Sequence, residues 1–145
     1  PLWSRGLGDV YKRQTHFCCS DGKGNWVSIT STINTSFGSK VIIPGTGVLM
    51  NNEMDDFSIQ PGIPNAFGLI GNESNKVEGG KRPLSSMSPT IVMQGGKPIL
   101  TLGAAGGPKI ISQVVLTILR VIDRNMTLRE AVAASRFHHQ WRPDP

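Results

Sequence analysis

The pattern of apolar and polar residues predicts two β-hairpins. Residues 15–20 and 25–34 have the alternation of half-buried strands, and the glycine-containing segment 21–24 between them is typical of a hairpin turn. Residues 90–94 and 98–102 repeat this arrangement around a Gly-Gly-Lys turn. Because successive side chains of a strand point to opposite faces, each hairpin is expected to present two different surfaces.

Two helices are predicted after the second hairpin. The first begins close to Pro108 and runs to about Arg124, since proline is favoured in the first turn of a helix. A short helix then begins at Thr127, with Glu130 at the spacing of a capping box, and extends through Ser135. Hairpins followed by helices favour an α+β layer fold.

The middle of the chain carries weaker signals. Residues 35–44 are predicted to form a loop and residues 48–50 a short strand. Residues 58–80 are rich in Pro, Gly and Asn and are expected to form an irregular surface segment. This segment is unusually long for a passive connection, which indicates function or contact with another chain.

Composition excludes several classes of protein. At 145 residues the chain has the size of one domain with a core. Its net charge of +5 is scattered, which does not favour nucleic-acid binding, and no apolar run approaches the ~20 residues of a membrane span. Cys18 and Cys19 are neighbours, so neither a mutual disulfide nor a zinc site is expected. No metal and no cofactor is predicted.

Residues 1–14 differ from the rest of the chain. They show no helical or strand periodicity, and they lack the apolar segment of a signal peptide. They resemble a translated adapter sequence, and we interpret them as a non-native or disordered leader before a domain of residues 15–145. The chain stops at Pro145 without a recognisable terminus, so a truncated C-terminus is an open alternative.

The segment 103–109 is rich in small residues and joins a predicted strand to a predicted helix. Backbone N–H groups at a helix N-terminus favour negative charge. A phosphate-binding loop requires glycine where Pro108 stands, so that function is not supported. Two alternatives stay open, an oxyanion hole and a plain strand-to-helix turn.

The segment 51–56 concentrates amides and carboxylates after the predicted short strand. Such a cluster can hold an ammonium group or a metal ion. Its spacing matches no calcium loop, and the absence of histidine argues against zinc. An amine site and a solvated acidic turn are the alternatives. The neighbouring His138 and His139 are expected to pack or to be solvated rather than to share an ion.

The segment 81–90 places Ser85 and Ser86 between two prolines. Proline fixes φ and biases the residue before it toward extended geometry, so the loop is expected to be stiff. A stiff loop presents its hydroxyls in one arrangement, which suits a polar ligand. The alternative is an ordinary Ser/Pro turn before a strand.

Taken in order, these segments resemble the small catalytic subunit of the gamma-glutamyltransferases, or glutathione hydrolases. The resemblance extends from Thr15 to the end, about nine-tenths of the chain. It is carried by His16 and by residues 30–37, 51–57, 81–90, 103–107 and 136–141. It implies the N-terminal-nucleophile hydrolase fold, an αββα four-layer sandwich that is incomplete without the large subunit.

The resemblance also implies an activity. A precursor cleaves itself and exposes a threonine, which attacks the γ-glutamyl amide of glutathione and related compounds. The acyl-enzyme then passes the glutamyl group to water, an amino acid or a peptide. The implied partners are this substrate and the large subunit of the same precursor, and the implied location is the periplasm or the outside of the cell.

The resemblance assigns roles to individual residues by motif. The substrate-binding set is Asn34, Glu53 and Asp56 for the glutamyl α-amino group, with Ser85 and Ser86 for its α-carboxylate. The catalytic set is Thr32, which orients the nucleophile, and Gly106 and Gly107, whose N–H groups form the oxyanion hole. Each residue type suits its task, because carboxylates accept from an ammonium and N–H groups donate to an oxyanion.

One departure concerns the nucleophile. The family usually has Thr-Thr-His at this point and uses the first threonine, but here Gln14 occupies that position and Thr15 the second. A slip to Thr15 would turn the side chain to the other strand face. The chain as written is therefore predicted to be inactive, either because residues 1–14 overwrote the threonine or because it was lost. A non-catalytic homologue that binds γ-glutamyl compounds and a related amide acylase of the same fold are the alternatives.

Overall fold

The computed structural model describes residues 14–140. The expected leader at 1–14 lies outside the described residues except for Gln14, and so does the end of the expected domain, 141–145. The described strands and α-helices are β1 (Thr15–Ser20), β2 (Trp26–Ser31), β3 (Thr90–Gln94), β4 (Lys97–Leu102), α1 (Lys109–Ile122) and α2 (Leu128–Ala133). No helix within residues 14–140 combines the length and the apolar character needed to cross a bilayer.

The described residues divide into two units, and each is considered by itself. The first, the sheet–helix unit, consists of residues 14–31 and 86–138 and contains β1–β4, α1 and α2. The second, the loop unit, consists of residues 32–85 together with 139 and 140.

Both predicted hairpins are present in the sheet–helix unit, but the strand predicted at 25–34 ends at Ser31, since Asn34 has a positive φ of 75° that is incompatible with a strand. β1 pairs antiparallel with β2, and Thr15 lies opposite Ser31. The turn between them is held by Asp21, whose Oδ1 accepts hydrogen bonds from the N–H groups of Lys23 and Asn25, both at 2.9 Å. β3 pairs antiparallel with β4 and has an irregularity after its third residue. Polar and apolar positions alternate along β2 as predicted, but its polar face is the half-buried one.

The core of this unit lies between β4 and α1. It consists of Leu100, Leu102, Ile110 and Val114, of which Ile110 is completely buried. Burial of such side chains is the main favourable term in folding, about 1.5–3 kcal/mol each. The strand and the helix that flank residues 103–108 are therefore both anchored in the same core.

Specific hydrogen bonds cap α2 and connect it to α1. Thr127 and Glu130 form the predicted capping box at the start of α2, which ends two residues earlier than expected. Arg120 of α1 donates to the carbonyl oxygens of Ala131 and Ala134, at 3.1 and 3.2 Å. These bonds satisfy carbonyls at the end of α2 and tie it to α1.

The loop unit has little regular structure. Its described elements are two 3₁₀ turns, Glu53–Asp56 and Glu73–Asn75, together with isolated bridges. The prediction of a strand at 48–50 is wrong, because only Leu49 forms a bridge, with Ile42. The chain reverses at Gly45 and Gly47, which both have positive φ, and the backbone bonds across this reversal, Ile43 N to Val48 O and Met50 N to Val41 O, both at 2.9 Å, form a single bridge instead of a strand. The prediction that 58–80 is irregular is confirmed apart from its one 3₁₀ turn.

Candidate active site

Two consecutive backbone N–H groups in the sheet–helix unit point at one oxygen atom. They belong to the glycine turn, defined as residues 103–107. The N–H of Gly106 donates to Gln14 Oε1 at 3.2 Å, and the N–H of Gly107 makes a longer contact of 3.5 Å with the same atom. Their φ values of 140° and 57° are ones that glycine adopts without strain. Paired donors of this kind can stabilise a developing oxyanion.

The carbonyl groups of the same two glycines support the helix. Gly106 O accepts from Lys109 N at 3.3 Å, and Gly107 O accepts from Ile110 N at 3.1 Å. These bonds occupy N–H groups of the first helical turn that would otherwise lack partners. The turn is thus fixed through its carbonyls, and its N–H groups are directed toward residue 14.

His16 brings β1 against the turn. A Cβ atom added to Gly103 would clash with His16 Nδ1, so the ring packs directly on the glycine backbone. The same nitrogen is 2.8 Å from Thr30 Oγ1, and Nε2 is 3.0 Å from Cys18 Sγ. Burial lowers the pKa of His16, which favours the neutral ring. The contact explains why a glycine is needed at 103 and holds the start of β1 beside the donors.

Thr15 lies on the other side of the strand. It is exposed, whereas Gln14 and His16 are half-buried and both contact the glycine turn. Successive strand residues point to opposite faces, so Thr15 points away from the turn. Position 14, and not position 15, therefore faces the two N–H groups.

In the loop unit, carboxylates gather in the acidic turn, defined as residues 51–57. Glu53 N donates to Asn51 Oδ1 at 3.0 Å, which starts the 3₁₀ turn. Glu53 Oε1 is buried and has no hydrogen-bond partner among the described residues. Burial, followed by the negative charge of Asp56, raises the pKa of Glu53. Burial and then the charge of Asp55 raise the pKa of Asp56, while a hydrogen bond from Glu53 acts in the opposite direction.

These shifts define what the acidic turn can bind. Two partly buried carboxyls close to each other are expensive to ionise together. A positively charged group at this place would relieve both the burial and the repulsion. The turn is therefore chemically suited to a cation such as an ammonium group.

Asn34 is connected to the acidic turn through its side chain. It is almost fully buried, at 3% exposure, and its φ of 75° is one that asparagine tolerates better than most residues. Its Nδ2 donates to Asn52 O at 3.0 Å, and its backbone N–H donates to Thr32 Oγ1 at 2.9 Å. The structure thus brings together Thr32, Asn34 and the start of the acidic turn.

Two further asparagines hold the same turn, and the sequence analysis did not identify them. Asn75 Nδ2 donates to Asp56 O at 2.8 Å, and Asn65 Nδ2 donates to Asp55 O at 3.3 Å. Asn75 Oδ1 also accepts from Leu84 N at 3.1 Å, immediately before the paired serines. The abundance of asparagine in residues 58–80 was the signal that pointed to them.

The paired serines fall in different units. Ser85 is exposed and ends residues 32–85 of the loop unit, whereas Ser86 is half-buried and begins the second segment of the sheet–helix unit. Ser86 O accepts from Ser88 Oγ at 3.0 Å. Of the residues singled out by sequence, Thr32, Asn34, Glu53, Asp56 and Ser85 lie in the loop unit and Thr15, Ser86, Gly106 and Gly107 in the sheet–helix unit.

Metal-binding groups are dispersed. Within residues 14–140, no three His, Cys, Asp or Glu side chains are grouped closely enough to hold a metal ion. Cys18 and Cys19 are both free thiols. His138 Nδ1 lies 2.7 Å from Ser112 Oγ, while His139 is exposed.

The fold defines the class of protein. Solved structures that resemble it are gamma-glutamyltranspeptidases, and the described elements are mixed helix and sheet, so the chain has the fold of N-terminal-nucleophile hydrolases. The family model described as gamma-glutamyltranspeptidase matches residues 10–145, and the chain belongs to this family.

Individual relatives give the extent of the similarity. The glutathione hydrolase proenzyme of Pseudomonas sp. (strain A14) is 53% identical over 130 residues, which are 90% of this chain and 23% of the relative. The proenzyme of Escherichia coli (strain K12) is 49% identical over 130 residues, 90% of this chain and 22% of the relative. A mutant of Helicobacter pylori gamma-glutamyltranspeptidase matches with a TM-score of 0.85 at 56% identity, covering 90% of this chain and 70% of that one. The chain spans about a quarter of the length of these curated relatives.

Proposed function

We propose that this chain is the catalytic small-subunit portion of a gamma-glutamyltransferase, which cleaves the γ-glutamyl amide of glutathione and related compounds. One observation carries the proposal: both N–H groups of Gly106 and Gly107 point at the side-chain oxygen of residue 14. Residue 14 is where the family resemblance expects the nucleophilic threonine.

The side chain of Gln14 imitates an acylated threonine. Its Cβ, Cγ, Cδ and Oε1 atoms correspond in order to the Cβ, Oγ1, acyl carbon and acyl oxygen of a threonine ester. In Gln14 the oxygen that corresponds to the acyl oxygen is the one that Gly106 N contacts at 3.2 Å. A threonine at this position would therefore carry the carbonyl oxygen of its acyl group to the same two donors.

This correspondence gives the chemistry. The threonine hydroxyl attacks the γ-glutamyl carbonyl carbon, and its proton passes to the α-amino group that precursor cleavage exposes. The carbonyl oxygen becomes an oxyanion and is stabilised by the two glycine N–H groups, each worth about 10²–10³ in kcat in comparable enzymes. On collapse the α-amino group passes that proton to the leaving nitrogen, so that the amine departs and the ester remains, which water, an amino acid or a peptide then cleaves. No step calls for a cofactor.

Recognition of the glutamyl group is assigned to the loop unit and the serine pair. Glu53, Asp56 and Asn34 would hold the α-amino group, and the raised pKa values of the two carboxyls support a cationic ligand. Ser85 and Ser86 would donate to the α-carboxylate. Thr32 would orient the nucleophile.

The proposal also covers the partner subunit, the location of the intact enzyme and the activity of this chain. We place the large subunit of the same precursor beside this chain, where it completes an αββα four-layer sandwich. We also place the intact enzyme in the periplasm or outside the cell. The chain as written is inactive in this proposal, because Gln14 has no hydroxyl and its amide occupies the donors. The same contact favours one second candidate, a non-catalytic homologue that binds γ-glutamyl compounds.

A pair of chimeras tests the proposal. In the Pseudomonas sp. (strain A14) proenzyme, the segment that corresponds to residues 14–145 is replaced by residues 14–145 of this chain, once with Gln14 retained and once with Gln14→Thr. We expect the Gln14→Thr chimera to cleave itself into two subunits and to release the amine from a γ-glutamyl anilide. We expect the chimera with Gln14 to do neither.

The two chimeras also separate the candidates. A Gln14→Thr chimera that is folded by circular dichroism but neither cleaves itself nor turns over contradicts the proposed function. A chimera with Gln14 that binds a γ-glutamyl ligand without turnover, together with an inactive Gln14→Thr form, supports the binding homologue instead.

A further inference from the structure

A side chain of α1 contacts the carbonyl oxygen of the peptide group that carries the Gly106 N–H. Gln113 Nε2 donates to Ala105 O at 3.1 Å. Ala105 C=O and Gly106 N–H belong to one planar peptide group and point in opposite directions. Fixing the carbonyl therefore fixes the direction of the N–H that faces residue 14.

Arg136 determines which way the Gln113 amide is turned. Its Nη1 donates to Gln113 Oε1 at 2.7 Å. An arginine can only donate, so the oxygen of the amide must face it and the NH₂ group must face Ala105. A bond from a permanent cation is also stronger than one between neutral groups, and it polarises the amide that it reaches.

The space around Gly106 is fitted to this amide. A Cβ atom at position 106 would lie 2.9 Å from Gln113 Nε2, closer than real Cβ contacts allow. The φ of 140° independently requires glycine there. Gln113 thus fills the place that a side chain at 106 would take, and its position is coupled to that of the donor peptide.

We propose that Gln113 is a positioning residue for the Gly106 donor, and that Arg136 orients its amide. This inference rests on the proposed function, since it assigns Gln113 a role in directing that donor toward the reacting carbonyl oxygen. In the reaction, loss of the Gln113 donor would lower kcat and leave KM nearly unchanged, because the donors act on the oxyanion more than on the bound substrate.

The test uses the present chain and does not need turnover. Gln113→Glu keeps the size of the side chain and its contact with Arg136 but, when ionised, removes the donor to Ala105. Near pH 7 we expect the Gly106 amide proton to shift in the NMR spectrum and to exchange with solvent about five- to thirty-fold faster. The matched control is Gln94→Glu, an exposed residue of the same unit, which should leave the Gly106 signal unchanged.

A pH titration distinguishes positioning from general stability. When the introduced carboxyl takes up a proton, at or below about pH 4.3, it regains a donor for Ala105. The Gly106 signal of Gln113→Glu should then return toward that of the unchanged chain measured at the same pH. A purely structural defect would not be reversed in this way.

The inference is overturned if Gln113→Glu leaves the Gly106 shift and exchange unchanged, or if Gln94→Glu alters them equally. Should Gln113→Glu fail to fold, Arg136→Lys gives the same readout with a smaller expected change, because one ammonium replaces the planar fork. Failure of this amide readout concerns Gln113 alone, whereas an inactive, folded Gln14→Thr chimera contradicts the proposed function.

Discussion

The glycine turn and the acidic turn suit opposite charges and are built by different means. The glycine turn uses backbone N–H groups, and those of its last two residues point at Gln14 Oε1 within the chain itself. The acidic turn uses side-chain carboxyls, and Glu53 Oε1 is buried without a hydrogen-bond partner in the described part of the chain. The N–H donors of the glycine turn already have a partner within the chain. The buried carboxyls of the acidic turn, in contrast, would be stabilised by a bound cation.

The two turns are also held in place by different interactions. The glycine turn is flanked by β4 and α1, which share the buried core around Ile110. The acidic turn has one buried apolar side chain, Phe57, and is otherwise held by the amides of Asn34, Asn65 and Asn75. A backbone donor site needs a rigid apolar base, whereas a carboxylate site can be assembled on irregular chain by side-chain hydrogen bonds. Three predictions test this contrast.

The largest effect is expected from removing the base of the glycine turn. Ile110→Ala deletes a fully buried side chain from the core and should cost about 2–5 kcal/mol of unfolding free energy. Urea denaturation followed by circular dichroism at 222 nm measures this, because α1 and α2 both belong to this unit. The control is Ile111→Ala, whose side chain is 51% exposed and whose loss should cost much less. Equal costs for the two variants would contradict the idea that the turn rests on this core.

A smaller loss is expected from the turn itself. Gly106→Ala places a Cβ atom 2.9 Å from Gln113 Nε2 at a φ of 140°, and should destabilise the unit by about 1–3 kcal/mol. Gly22→Ala is the matched control, because Gly22 has open space around it and no positive φ. The same denaturation measurement applies. If Gly106→Ala were as harmless as Gly22→Ala, the turn would be more adaptable than its geometry indicates.

Sequence was sufficient where the governing interactions are local. The β1–β2 turn at Asp21 and the capping box of Thr127 and Glu130 are both set by residues within four positions of each other. The strand predicted at 48–50 was wrong because a short apolar run forms a strand only with a paired partner, and here only Leu49 forms a bridge, with Ile42. Local propensity is a weak guide where distant contacts decide.

For the two candidate sites, residue type and family resemblance predicted which residues take part, but not the contacts that hold them in place. The contact of Gln14 with Gly106 joins residues 92 positions apart, and only the family resemblance, not a local pattern in the chain, implied it. Asn75 and Gln113 were missed, because an asparagine in an irregular segment and a glutamine on a helix are usually solvated. Their roles depend on which distant carbonyl they reach.

The smallest expected effect concerns the charges of the acidic turn. The pKa values of Glu53 and Asp56 are raised from their ordinary 4.5 and 3.8, so the folded state binds protons more tightly than the unfolded state. The contribution of these two carboxyls to the stability of the loop unit should therefore be fully present below about pH 4 and be lost as the pH rises through their folded-state values. Urea denaturation at several pH values, followed by the NMR signal of the buried Ser58, measures the slope.

The variant Glu53→Gln tests the origin of this slope. It removes one carboxyl whose pKa is raised by burial and by the charge of Asp56, so the decline between pH 4 and 7 should become shallower by a fraction of one proton. Glu73→Gln is the control, since Glu73 is exposed and pairs with Lys76 at 3.4 Å across one turn, a contact worth little. Addition of a γ-glutamyl compound should flatten the slope of the unchanged chain in the same direction, because a bound ammonium group lowers both raised pKa values. A slope identical in all these samples would mean that the acidic turn is solvated, and its likeness to an amine site would then be one of composition alone.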